Sequence, residues 1–291
     1  MRILVAGAGG MLGQDVVVQA QAGDHEVVAL TRADLDVTNA RAVSATIAAE
    51  RPEAIINCAA WTDVDGAEAH EEAALELNGH APELLARAAT EIGAQLVHVS
   101  TDYVFDGSPE LHDGTSQPRP YVESDATGPR TAYGRTKLAG EQGVLAAGQS
   151  HAVIRTAWLF GAGGKNFVAT MLAAAAGGRE ELAVVTDQVG CPTYSGHLAG
   201  ALVDVAERRI GGIQHVAGSG QCSWNGFARE IFEQAGVRCE VRAIESSEYP
   251  LPAPRPAWSV LVSERPEVPR LPDWREGLAA YLSDVREELS R

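Results

Sequence analysis

Lysine is almost absent from this chain of 291 residues: only Lys137 and Lys165 occur, and aromatic residues make up 5%. No apolar run approaches the roughly 20 residues a membrane-spanning helix needs, so no membrane partner is expected. The start, Met1-Arg2-Ile3-Leu4-Val5, runs directly into glycines and lacks the apolar stretch and cleavage site of a secretory signal. A cytoplasmic location is the expectation. The four cysteines (Cys58, Cys191, Cys222, Cys239) are scattered, with no CxxC pair, no HExxH and no His/Cys cluster. They read as reduced thiols, and no metal site is expected. Basic charge is scarce as well: the net charge is -16 and the pI about 4.9. Such a surface repels nucleic-acid backbones and anionic lipid. An anionic small molecule remains possible as a substrate, provided a local group of basic residues opposes the overall field.

Hydrophobic residues make up 45% of the chain, enough for a substantial core. Short β-branched runs predict strands at Arg2–Ala6, Glu26–Leu30, Ala54–Cys58, Gln95–Ser100 and His151–Thr156. Ala-rich stretches between them predict helices at Met11–Gln21, Ala40–Glu50, Ala67–Ile92 with a break near Asn78–Pro82, and Ala132–Ala147. Strand and helix in alternation imply an α/β fold, a doubly wound parallel sheet covered on both faces. The segment from Gly107 to Pro129 is proline-rich, aperiodic and too long for a passive connection, and it reads as a lid. Later helices are expected at Asn166–Ala176, His197–Arg208, Ser223–Ala235 and Asp273–Leu289. The expected division is a dinucleotide-binding domain of residues 1–156 plus about 190–217. A smaller, interleaved α/β substrate-binding domain would take about 157–189 plus 218–291.

Gly7-Ala8-Gly9-Gly10-Met11-Leu12-Gly13 follows the first strand and opens the first helix. Glycines there allow a tight turn and let backbone N–H groups approach a pyrophosphate at the positive helix end. This is the context of a dinucleotide site, the Rossmann arrangement. The second strand ends in Leu30-Thr31-Arg32 rather than an acidic residue. Arg32 is a candidate for a 2′-phosphate, which favours NADPH and leaves NADH open. Asp36 and Val37 are placed to flank the adenine.

Tyr133 and Lys137 stand four apart in a predicted helix and so share a face. A phenol titrates near pH 10. A neighbouring ammonium favours the phenolate and brings the group toward useful acid–base chemistry, and the lysine can also hold a ribose. In a chain that avoids lysine, one at this spacing is informative. Thr101, in Ser100-Thr101-Asp102-Tyr103 after the fourth strand, is the candidate to hydrogen-bond a reacting oxygen.

The residues resemble the dTDP-4-dehydrorhamnose reductase family of extended short-chain dehydrogenases. Besides the loop at 7–13, the matching stretches are Asn57 to Asp65, Ser100 to Gly107, Tyr133 to Glu141 and Arg155 to Trp158. They continue with Asp187 to Thr193, Arg255-Pro256 and Leu271 to Leu278. The resemblance implies hydride delivery to C4 of a dTDP-linked 4-keto-6-deoxy sugar, a small nucleotide-sugar substrate. Tyr133 would be proton donor, Thr101 the carbonyl partner and Lys137 the tuning and ribose-holding group. Ala59, Ala60 and Thr62 would line the cofactor site, Asp102 and Trp158 would touch the sugar, and Arg255 the diphosphate. It leaves monomer or homodimer open.

Alternatives stand beside it. A related deoxysugar 4-ketoreductase of secondary metabolism would carry the same catalytic residues. A sugar-nucleotide 4,6-dehydratase would need a further carboxylate where Tyr103 stands. A 4-epimerase shares the Tyr/Lys pair but retains its cofactor. A non-catalytic regulatory-subunit role is opposed by the presence of Thr101, Tyr133 and Lys137 together.

Overall fold

The computed structural model describes residues 1–108 and 118–289. In chain order the first half runs β1 (Arg2–Ala6), α1 (Met11–Ala22), β2 (Glu26–Leu30), α2 (Ala40–Glu50), β3 (Ala54–Asn57), α3 (Val64–Ala69), α4 (Glu71–Leu75), a π-helical turn (Glu76–His80), α5 (Ala81–Ile92), β4 (Gln95–Thr101), α6 (Ala132–Ala147) and β5 (Ala152–Thr156). The second half runs β6 (Leu159–Phe160), α7 (Phe167–Ala176), β7 (Glu181–Val185), β8 (Val189–Gly190), β9 (Thr193–Tyr194), α8 (Ser195–Glu207), β10 (Gly212–His215), β11 (Cys222–Ser223), α9 (Trp224–Ala235), β12 (Glu240–Ile244) and α10 (Trp274–Leu289).

The main sheet has six parallel strands in the order β10-β5-β4-β3-β1-β2. Its strands are apolar on both faces because both are covered. Ile3, Val5, Ile56, Val97 and Ile154 pack on Leu12 and Val16 of α1 and Leu198, Leu202 and Val205 of α8. The alternate residues Leu4, Ile55, Leu96 and Val153 pack on Val43 and Ile47 of α2, Leu85 of α5 and Val144 of α6. A third core joins α7, β7, α9, β12 and α10 through Val168, Leu182, Val184, Phe227, Ile231 and Trp274. Helix starts follow side-chain capping: Asn39, Asn166 and Ser223 each accept a backbone N–H of the first turn.

Two expectations change. The helical stretch 67–92 is interrupted at His70, while the segment around Asn78 stays helical as a π turn. That turn presents the Asn78 side chain, whose amide brackets the Trp61 backbone and reaches Thr136. Of the expected lid, residues 109–117 lie outside the described residues. The described remainder does not stand free: Tyr121 is held by backbone hydrogen bonds to Val260 and Val262, and Trp258 Nε1 donates to the Arg119 carbonyl.

Candidate active site

Parallel strands that all end on one side place their following loops around one crevice. Here that crevice is a cleft of about 1620 Å³ lined by Gly10 to Gly13 after β1, Cys58, Ala60 and Thr62 after β3, Thr101 to Tyr103 after β4, and Thr156 to Leu159 after β5. The second wall comes from α7, β7 and residues 249–256. Its size exceeds the roughly 300–1,000 Å³ usual for a single drug-sized ligand, so two ligands fit side by side.

The glycine turn is dictated by sterics. Gly7 has φ +77°, and a Cβ on it would lie 2.6 Å from the Ala59 backbone N. A Cβ on Gly13 would lie 2.2 Å from the Gly7 carbonyl oxygen. The chain is therefore pressed against β3, and α1 presents the first-turn N–H groups of Met11, Leu12 and Gly13 to the cleft. An α-helix leaves these groups without an internal acceptor, and no acidic residue occupies that turn. The cradle suits a pyrophosphate.

The other expected cofactor residues divide. Ala60 and Thr62 line the cleft, whereas Ala59 packs beneath Gly7 and donates its N–H to Asn57. Arg32 is exposed after β2 and makes no ion pair among the described residues. Asp36 is exposed and accepts from Thr38. Val37 is buried in the core with Leu4 and Leu35.

Thr101, Tyr133 and Lys137 come together. Helix α6 can start this close to the turn after β4 because Gly134 has no side chain: a Cβ there would lie 2.3 Å from the Tyr103 carbonyl oxygen. The approach brings the Tyr133 hydroxyl within hydrogen-bonding reach of Thr101. Burial pushes the Tyr133 phenol up to about 12, opposed by that hydrogen bond. The lowering by Lys137 expected from the sequence is not what sets this shift; burial does. Burial also pulls Lys137 down to about 8 against the favourable field of Glu141. At neutral pH the phenol keeps its proton, as a proton donor must.

Thr101 Oγ1 donates to Asp102 Oδ1 at 2.9 Å and accepts from the Tyr103 N–H. Asp102 is buried, and burial raises its carboxyl to about 6, with the Ser259 and Thr101 hydroxyls opposing. Its Oδ2 still lacks a hydrogen bond of acceptable geometry. Trp158 adopts φ +46°, a left-handed conformation that costs a non-glycine residue roughly 1 kcal/mol or more. Its indole stacks on Trp224, centroids 3.5 Å apart and planes within 6°. It also lies where a Cβ on Gly190 would be, 2.4 Å from the Trp158 ring. Arg255 lines the cleft, but two of its nitrogens face Asp65, at 3.0 and 2.7 Å.

Sequence reasoning missed Trp224, Lys165 and Arg179 in the cleft wall. The last two, like Arg255, put basic side chains on the wall of the cleft in an otherwise acidic chain. It also missed the buried pair beneath the site, Glu141–Arg155 at 2.7 Å, with Ser100 donating to Glu141 at 2.6 Å. Glu141 stands one turn after Lys137 in a helix, a legible signal, whereas Trp224 has no local marker. No group of three or more metal-ligating side chains occurs among the described residues.

The chain matches the family model described as RmlD substrate binding domain over residues 1–287. It is 44% identical to a dTDP-4-dehydrorhamnose reductase of Mycobacterium tuberculosis, over 97% of this chain and 92% of that protein. It is 42% identical to a probable dTDP-4,6-dihydroxy-2-methyloxan-3-one 4-ketoreductase of Streptomyces antibioticus, over 98% of this chain and 96% of the relative. Among solved structures, a Bacillus anthracis dTDP-4-dehydrorhamnose reductase in complex with NADP superposes with a TM-score of 0.91. It is 34% identical and covers 97% of this chain and 99% of that one.

Proposed function

Because the chain belongs to the RmlD substrate binding domain family, we propose that it is an NADPH-dependent oxidoreductase that reduces dTDP-4-dehydro-L-rhamnose to dTDP-L-rhamnose. The observation that carries this is the meeting of three features in one cleft: the open N-terminus of α1, the Thr101/Tyr133 hydroxyl pair, and Lys137. When bound, the reduced nicotinamide supplies hydride to the keto carbon.

The chain's own residues do the rest. The N–H groups of Met11, Leu12 and Gly13 hold the pyrophosphate, Ala60 and Thr62 flank it, and Arg32, exposed after β2, meets the 2′-phosphate. Thr101 turns its single hydroxyl proton from Asp102 to the substrate carbonyl. Tyr133 gives its proton to the developing alkoxide, and Lys137 holds the ribose. Asp102, which lines the cleft beside Thr101, accepts a sugar hydroxyl. The Trp158–Trp224 stack forms the apolar wall for the sugar ring. Arg255, oriented by Asp65, joins Lys165 and Arg179 around the diphosphate. A cytoplasmic monomer or homodimer is part of this reading. No helix among the described residues is long and apolar enough to cross a membrane.

The test is NADPH oxidation with dTDP-4-dehydrorhamnose, followed by assignment of the product's C4 configuration. Turnover to the L-rhamno product is expected, and no NADPH consumption would overturn the reading. The likeness to the Streptomyces ketoreductase favours one second reading, a related 4-keto-deoxysugar substrate. It is recognised by turnover of that sugar alone. Purification with a tightly held, non-exchanging NAD(H) would indicate an epimerase instead.

A further inference from the structure

The nitrogen of Lys137 lies in a net of buried polar groups whose proton positions can be worked out. It donates to the Val99 carbonyl at 2.6 Å and stands 3.4 Å from His98 Nε2. On the other side of the ring, His98 Nδ1 is 3.1 Å from Asn57 Nδ2. All three side chains are essentially excluded from solvent.

The orientation of the Asn57 amide follows from Ala59. A backbone N–H can only donate, and that of Ala59 lies 3.0 Å from Asn57 Oδ1, so the oxygen is the atom facing it. The Asn57 NH₂ therefore faces the imidazole and donates to Nδ1. A neutral imidazole that accepts at Nδ1 carries its proton at Nε2, and Nε2 faces Lys137. An ammonium has three donors and no lone pair, whereas an amine has one lone pair to offer. A donor pointed at the lysine nitrogen thus favours the amine over the ammonium.

We propose that Asn57 and His98 are positioning residues that set the pH at which Lys137 loses its charge, by presenting a fixed N–H donor to its nitrogen. Three titratable groups bear on that nitrogen: Glu141 from α6, His98 from β4 and Cys58 after β3. Glu141 favours the ammonium, but its carboxylate is already engaged by Arg155 and Ser100. Burial and the charge of Lys137 hold His98 well below the usual histidine range. The ring consequently stays neutral and keeps donating. The consequence for catalysis rests on the reading of Tyr133 and Lys137 given above: Lys137 changes charge within the working pH range instead of remaining a permanent cation.

The chain's two lysines make the test direct. Full-length protein labelled with ¹³Cε-lysine shows two signals, and Lys165→Arg assigns the one from Lys137. Its titration midpoint is expected near 8, where burial places the group. In His98→Leu it is expected to rise by about one pH unit, the worth of one hydrogen bond. The basic limb of the kcat profile should move the same way. Long-range ¹H–¹⁵N spectra of the unaltered protein should show His98 as the neutral Nε2–H tautomer, which tests the assignment without any variant. An unmoved Lys137 midpoint in His98→Leu, or an Nδ1–H or doubly protonated His98, overturns the inference. If the lysine and histidine signals behave as expected but NADPH is not oxidised, the inference stands and the proposed reaction falls.

Discussion

Asp102→Asn should make the protein more stable while making the enzyme worse. Burial lifts the Asp102 carboxyl from the ordinary 3.8 of an aspartate to about 6. The folded state therefore binds this proton more tightly than the unfolded chain does. The stabilising contribution is fully present below about pH 4 and is lost as pH rises through about 6. About two pKa units correspond to roughly 3 kcal/mol of cost once the group is ionised. Asparagine has nearly the shape of the protonated acid and does not titrate. Urea unfolding of both proteins across pH 4 to 8 should therefore show similar stability at the acid end. The asparagine form should gain up to about 3 kcal/mol at pH 8, with most of the divergence between pH 4 and 6. Over the same range kcat/KM should fall by about a hundredfold, since Asp102 is assigned a sugar hydroxyl and lies against Thr101. A stability difference that does not vary with pH would refute the argument, as would a less stable variant at pH 8.

Tyr133→Phe removes the proton donor, so kcat should fall by roughly 10² to 10⁴ with NADPH affinity unchanged in a fluorescence titration; a weakened cofactor complex would mean the hydroxyl serves binding instead. Glu141→Gln strands the buried Arg155 charge, both side chains being 2% exposed, and should cost about 3–5 kcal/mol in urea unfolding. In Gly190→Ala the new methyl would meet the Trp158 ring at 2.4 Å. Steady-state kinetics should then show KM for the sugar nucleotide raised about tenfold, by roughly the 1–3 kcal/mol of an overpacked site, while KM for NADPH holds. Arg32→Ala should raise KM for NADPH about tenfold or more, by loss of a charge-assisted hydrogen bond, and leave KM for NADH alone. Equal effects on both cofactors would remove Arg32 from the 2′-phosphate.

The five strands read from β-branched runs appear in the structure to within a residue at each end. Residues buried on both faces of a parallel sheet have little choice but to be continuously apolar. The helix expected over 67–92 was harder, because nothing local distinguishes a π turn from a break. The Asn78 amide that uses this turn bonds to Trp61 and Thr136, 17 and 58 residues away. Val37 lies after β2 where the chain turns, and its side chain packs in the core beside Leu35, a placement that no local pattern marks.

Local chemistry was enough to read the glycine turn, the Tyr133/Lys137 spacing and the alternation of strand and helix, since each depends on neighbours within a few residues and on backbone geometry. Pairings across the fold were beyond it: Asp65 with Arg255, Trp158 with Trp224, and His98 between Asn57 and Lys137. These contacts join residues separated by tens to nearly two hundred positions, and their existence depends on which loops the sheet order brings to one edge. Burial, and with it the proton affinities of Tyr133, Lys137 and Asp102, follows from that same packing, because the removal of water is a property of the assembled cleft and not of any segment lining it.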